Sequence, residues 1–174
     1  MLRGGWQRAS SGFSLIELLV AMLIVAVGIL GVAGLQITSL RMNQSAMFRS
    51  EALQMGNDMV DRMRANELQD YALAPVLLTD PPATSINCMS ASCAPNELAG
   101  YDTTWWKCNI NSTSDETLGT QFTACANLGI AGSLPLGAGA IRKQGNLYVV
   151  TVEWQDNPAG ARRSINLRSQ VATP

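Results

Sequence analysis

The chain has 174 residues, room for one modest domain with an appendage but not for two full domains. Its formal net charge is −1, so bulk electrostatics point neither to nucleic acid nor to an acidic surface as a partner. It contains no histidine, which removes Ser-His-Asp and Cys-His catalysis, HExxH zinc sites and Cys2His2 fingers, so neither an enzyme nor a metal or cofactor site is expected.

In chain order, residues 1–12 (MLRGGWQRASSG) carry Arg3 and Arg8 and no acid. From Leu18 to Leu35 there is no charge at all, a run long enough to be read as a transmembrane helix in a lipid bilayer. Positive flanks stay cytoplasmic, so the N-terminus is expected inside and the remainder outside. A secretory signal peptide has an apolar core of about 7–15 residues that ends at a small-residue cleavage site. This run is longer, and Glu17 stands at its head. A plain anchor explains the length but not the glutamate, because a charge inside such a helix costs roughly 2.5–3.5 kcal/mol.

The word GFSLIE, Gly12 to Glu17, resembles the class III signal of type IV pilins and the related pseudopilins. The resemblance implies that a prepilin peptidase cuts between Gly12 and Phe13 on the cytoplasmic side and N-methylates Phe13. It also implies that the Glu17 carboxylate pairs with the new Phe13 amine, its own or a neighbour's. Both charges lose their water in a packed filament core, and removing one leaves the other with the full desolvation penalty. Such a buried pair fixes the register between subunits.

Gly28, Gly31 and Gly34 recur in the apolar run. They either let helices approach closely or are simply tolerated there, and both readings stay open. Beyond Leu35 the pattern turns amphipathic: Phe48, Ala52, Met55, Met59 and Met63 step by three or four into one apolar stripe. Asp58 and Arg62 form a favourable i,i+4 pair on another face. Pro75 stops any continuation. A single helix is therefore expected from Phe13 to about Tyr71, roughly 90 Å at 1.5 Å per residue. Its residues 13–35 form the transmembrane or filament-core half and residues 36–71 the amphipathic half. Met42 and Met47, with Met55, Met59 and Met63, are expected to form the seam where a head packs on this helix.

The head is expected over residues 72–174. Leu73 to Asn87, with Pro75, Pro81 and Pro82, reads as a loop. CAPNELAGYDTTWW reads as a short helix with Asn96 as N-cap near Glu97. Of Trp105 and Trp106, candidates for ligand stacking, at least one is expected in the core, where aromatics bury most surface. Four cysteines, Cys88, Cys93, Cys108 and Cys125, all follow the apolar run. None forms a C-x-x-C pair, so a zinc ribbon is poorly supported. An even count in a loop-rich region fits disulfides in an oxidising compartment. Four cysteines allow three connectivities; short loops favour Cys88–Cys93 and Cys108–Cys125. No regular structure is assigned to Cys108–Leu134. The C-terminal third alternates as β: a strand around Ala138–Arg142, then LYVVTVEW, then RRSINLRSQV. The result is an antiparallel meander over about residues 138–171, one face of which needs cover. The C-terminal half of the long helix is the expected cover. Arg142, Lys143, Arg162 and Arg163 read as a cluster near the meander's ends, guarding sheet edges.

Three stretches, NQSAMFRSEALQMGNDMVDRMRAN, SCAPNELAGYDTTWW and LYVVTVEWQD, resemble the PilV-type minor pilins, also called type IV pilus modification proteins. The segment from Cys108 to about Ile130 departs from that family and reads as an insertion. The resemblance implies an α+β lollipop, a long N-terminal helix packed on a small antiparallel sheet. It also implies a low-abundance subunit that initiates or caps the type IV pilus. Its partners would be the prepilin peptidase, other minor and major pilins and the inner-membrane assembly platform. A type II secretion pseudopilin shares the leader and helix. An adhesin or DNA-uptake module on a pilin stalk is the alternative of another class.

Overall fold

The computed structural model describes residues 12–72, 87–115, 120–156 and 160–170. Met1–Ser11, with Arg3 and Arg8, and the Leu73–Ile86 segment with its three prolines lie outside the described residues. The chain divides into two compact units, Met1–Asn43 and Gln44–Pro174. One helix, α1 (Leu15–Ala65), contributes to both.

In the first unit every residue of α1 is exposed, from Leu15 at 77 % through Leu40 at 67 %. This is the one helix among the described residues that is long and apolar enough to cross a membrane. Its winding begins at Ser14, whose carbonyl accepts from the Glu17 N–H at 3.0 Å and the Leu18 N–H at 3.3 Å. Serine is a favoured residue at that position, and Glu17 in the first turn suits the positive end of the helix dipole.

The second unit begins with the rest of α1. Phe48, Ala52, Met59 and Met63 are buried, with Gly56 and Val60 beside them, and Met55 packs partly buried against the same core. The sequence stripe thus faces the core. Met42 and Met47 do not belong to the seam, being 69 % and 57 % exposed. The helix ends at Ala65, short of Tyr71. Tertiary contacts set that end: Tyr71 turns inward to 2 % exposure, and the Asn66 amide leaves the helix to donate to the Pro95 carbonyl at 2.8 Å.

The second helix, α2, runs Pro95–Ile110. It starts with Ala94 at the N-cap position and Pro95 in its first turn, not with Asn96 as cap. Alanine has no side-chain acceptor, so capping comes from Glu97, whose carboxylate accepts the Ala94 N–H at 2.8 Å. α2 passes through Cys108, and short elements follow: β1 (Thr113–Asp115), β2 (Thr120–Gln121) and α3 (Thr123–Leu128). The stretch from Cys108 to Leu134 therefore carries regular structure. It is built into the head, since Cys108, Ile110, Cys125 and Leu134 are all buried.

The meander is β3 (Ala138–Gln144), β4 (Leu147–Gln155) and β5 (Arg162–Gln170), in that spatial order and antiparallel. Gly145, at φ +62°, opens the two-residue turn between β3 and β4, as a type II′ hairpin requires. Register pairs Ile141 with Val150 and Val150 with Leu167. Alternate β4 residues Tyr148, Val150, Val152 and Trp154 face the core with α1 and α2. Burying each such large side chain contributes roughly 1.5–3 kcal/mol. Gly139 lets β3 approach Trp106, because a Cβ there would stand 2.6 Å from two atoms of that ring. The fold is α+β: a long N-terminal helix and a small three-stranded antiparallel sheet.

Candidate processing and assembly site

Gly12, Phe13 and Glu17 lie together at the start of α1. Phe13 precedes the helix and is 80 % exposed, and a Cβ placed on Gly12 would meet nothing within 4 Å. The Gly12–Phe13 bond is thus open to a second molecule. Glu17 is exposed within the first turn and has no partner among the described residues. A free amine at Phe13 would sit beside the positive end of the helix dipole, an unfavourable place for a cation. A carboxylate one turn away is the nearest charge that could compensate it. In an apolar surround, each charge would depend on the other.

In the head, two side-chain clusters fix the head-side half of α1 to its neighbours, and a third ties the segment that follows α1 to the sheet. The first is Arg62, whose Nε bonds Asp58 at 2.9 Å and whose Nη1 bonds Asp102 on α2 at 2.8 Å. The other Asp102 oxygen accepts the Tyr71 hydroxyl at 2.9 Å. The Trp105 ring lies 4.1 Å beneath the guanidinium, a cation–π geometry. Burial works against the Arg62 charge, but its bonds to Asp58 and Asp102 outweigh it and the pKa is raised. Burial first, then Asp102, pushes the Tyr71 phenol well above its ordinary value.

The second cluster centres on Asp156. It accepts from Ser45 on α1 at 2.8 Å, from the Trp154 indole at 2.9 Å and from Arg163 on β5 at 2.6 Å. Burial would raise its pKa, but those three donors hold it below the usual value. In the third, the Tyr148 hydroxyl donates to Asp70 at 3.1 Å and Lys143 stands 3.7 Å from the same carboxylate. The Ala72 backbone N–H is the main cause that keeps Asp70 below its ordinary pKa.

The cysteines pair as Cys88–Cys93 and Cys108–Cys125. The second pair is fully buried and ties α2 to α3. Trp106 is fully buried and donates to the Met55 carbonyl of α1 at 3.0 Å. Trp105 stacks on Arg62 instead, so neither indole forms part of an open ligand platform. The four basic residues do not cluster. Arg142 and Lys143 lie at the β3–β4 turn, while Arg162 and Arg163 lie at the other end of β4, opposite Gln155 and Trp154. Arg162 pairs with Glu153 at 3.4 Å and Arg163 with Asp156. No group of acidic residues and cysteines suited to a metal occurs among the described residues.

Asp102, Tyr71, Ser45 and Asp156 were not singled out in the sequence. A signal existed for Asp102. It lies three residues after Ala99 and four before Trp106, which places a carboxylate on the buried stripe of α2. A charge in that position requires a buried partner. Ser45 and Asp156 gave none, since each is an ordinary polar residue in its local pattern.

Two family matches adjoin along the chain. Residues 7–33 match the prokaryotic N-terminal methylation motif, and residues 34–104 match the family described as type IV pilin Tt1218. No curated protein and no solved structure matches. The first match contains Gly12, Phe13 and Glu17. The second spans the amphipathic half of α1 and most of α2, and stops before Cys108. The stretches matched are similar to a type IV pilin family and to the N-terminal methylation motif, and the long helix and the antiparallel sheet agree with that likeness. The motif and the apolar helix behind it point to membrane anchoring of the N-terminal segment.

Proposed function

We propose that this chain is a minor pilin of the PilV type, acting in type IV pilus biogenesis by initiating or capping the filament with other minor pilins. The prepilin peptidase cuts after Gly12 and methylates Phe13, and the inner-membrane assembly platform then takes up the mature subunit. Before assembly the N-terminus faces the cytoplasm and the head the periplasm, the compartment that suits two disulfides. In the filament, Glu17 pairs with a Phe13 amine. One observation carries this proposal. A Gly12–Phe13 junction and a Glu17 with no partner among the described residues, inside a methylation motif, stand at the start of a helix whose apolar side chains are exposed throughout the first unit.

Deletion of the gene, scored separately for surface pili and for protein secretion, tests the role. Loss of pili with normal secretion is expected; the reverse outcome assigns the chain to type II secretion as a pseudopilin. Glu17→Ala tests the site. Intact-mass measurement should show cleavage after Gly12 and a methylated Phe13, while incorporation into pili falls. A variant that is cleaved, methylated and fully restores piliation at native expression would show that the charge pair is not the purpose of Glu17.

A further inference from the structure

The two disulfides differ in what they join. Cys108 and Cys125 are 17 residues apart, tie α2 to α3 and are both fully buried. Cys88 and Cys93 are 5 residues apart and join no two elements; they close a turn just ahead of α2. Both are half-buried, and the residues between them are all exposed, Met89 at 82 %. Local bonds hold this turn: the Met89 N–H donates to the Asn87 side chain at 3.0 Å and the Ser90 N–H to the Asn87 carbonyl at 3.2 Å.

Thiol–disulfide exchange requires a thiolate to reach a disulfide sulfur, so access governs its rate. A fully buried pair is reached only when the surrounding structure opens. A half-buried pair in an exposed turn is reached in the folded head. The start of α2 has other supports. Asn66 donates to the Pro95 carbonyl and Glu97 accepts the Ala94 N–H. Farther along, Asp102 holds Arg62 and Trp106 donates to the Met55 carbonyl. Opening Cys88–Cys93 therefore frees the turn but leaves α2 on α1.

We propose that Cys88–Cys93 is a thiol–disulfide exchange site, opened by a dithiol while the head stays folded and Cys108–Cys125 stays closed. A thiolate of the dithiol attacks the Cys88 Sγ. The S–S bond breaks, and its electron pair goes to the Cys93 Sγ, which takes up the proton the attacking thiol released. The second thiol then loses its proton and displaces Cys88 from the mixed disulfide, and the Cys88 thiolate takes up a proton. Two electrons and two protons pass to the cysteines, and the dithiol ends as a disulfide. Cys88 is the sulfur attacked because Cys93 is the better leaving group. Cys93 directly precedes Ala94, the N-cap of the 16-residue α2, and a helix N-terminus lowers a thiol pKa. The Glu97 carboxylate, bonded to the Ala94 N–H, works against that effect.

The test uses the full chain in detergent micelles, with dithiothreitol as the probe, followed by alkylation and peptide mapping. Cys88 and Cys93 should be labelled at least about tenfold faster than Cys108 and Cys125, as expected where one pair needs a larger opening than the other. With only the first pair open, tryptophan fluorescence should still show one cooperative unfolding transition. With glutathione and an acid quench, the mixed disulfide should map to Cys88 and the free thiol to Cys93. Glu97→Gln keeps an acceptor for the Ala94 N–H and removes the charge, so reduction should speed up by about threefold, a lower-pKa thiol leaving faster. Equal labelling rates for the two pairs, or loss of the transition once the first pair opens, overturns the proposal. Glutathione mainly on Cys93, or a Glu97→Gln rate equal to wild type, overturns the assignment of Cys88 as the sulfur attacked. None of these readouts depends on leader cleavage, methylation or filament assembly, so failure here is distinct from failure of the pilin reading.

Discussion

Substitution at Arg62 tests whether the buried charge cluster locks α2 onto α1. The Asp102 side chain is 6 % exposed and the Arg62 side chain 26 %. Arg62→Met removes the guanidinium that stacks on Trp105 and leaves the Asp102 carboxylate buried with the Tyr71 hydroxyl as its hydrogen-bond donor. Breaking a buried pair from one side costs about 3–5 kcal/mol. Water reaches the quarter of Arg62 that is exposed, so the lower end, about 3 kcal/mol, is expected. Asp102→Leu should cost less, about 2 kcal/mol, because Arg62 retains Asp58. The double variant removes both charges and should cost about 2 kcal/mol, giving a coupling near 3 kcal/mol. Denaturant unfolding of the full chain in micelles, followed by tryptophan fluorescence, measures all four corners of the cycle. Trp105 and Trp106 report directly on the α1–α2 contact. An Arg62→Met cost below about 1 kcal/mol, or a double variant equal to the sum of the singles, would refute the lock.

Three further outcomes are expected. Gly139→Ala should destabilise the head by about 1–3 kcal/mol, since the added methyl meets the rigid, fully buried Trp106 ring; an unfolding midpoint equal to wild type would contradict that packing. Replacing Cys108 and Cys125 by serine should cost about 3 kcal/mol and replacing Cys88 and Cys93 about 2 kcal/mol, on the chain-entropy scale with loops of 17 and 5 residues; reversed order in chemical denaturation would refute this. The folded Asp156 pKa lies below its ordinary 3.8, so its contribution is complete above that value and lost as pH falls through the depressed folded value. Thermal melts across acid pH should therefore show a shallower acid limb for Asp156→Ala than for wild type, and identical limbs would dismiss the Asp156 cluster as a source of acid sensitivity.

The sequence by itself determined whatever rests on local periodicity. The uncharged run from Leu18 to Leu35 is long and apolar enough to be read as one helix without any tertiary contact. The alternation of Tyr148, Val150, Val152 and Trp154 has one strand solution, and the stripe from Phe48 to Met63 has one helical face. The leader word was legible because a motif read in order along the chain needs no tertiary contact, and residues 7–33 match the N-terminal methylation motif. Tertiary structure decided what depends on residues far apart. Spacing puts Asp102 on the buried stripe of α2 but names no partner for it. Only contact across 40 residues makes it the buried partner of Arg62. Ser45 and Asp156 meet across 111 residues. The choice of Trp106 over Trp105 for the core, the continuation of α2 through Cys108 and the end of α1 at Ala65 follow the same rule. In each case the backbone follows whichever arrangement buries the ring, disulfide or amide against a neighbouring element. The apparent basic cluster dissolved for the same reason: a nine-residue strand, β4, sets Lys143 and Arg162 at its two ends.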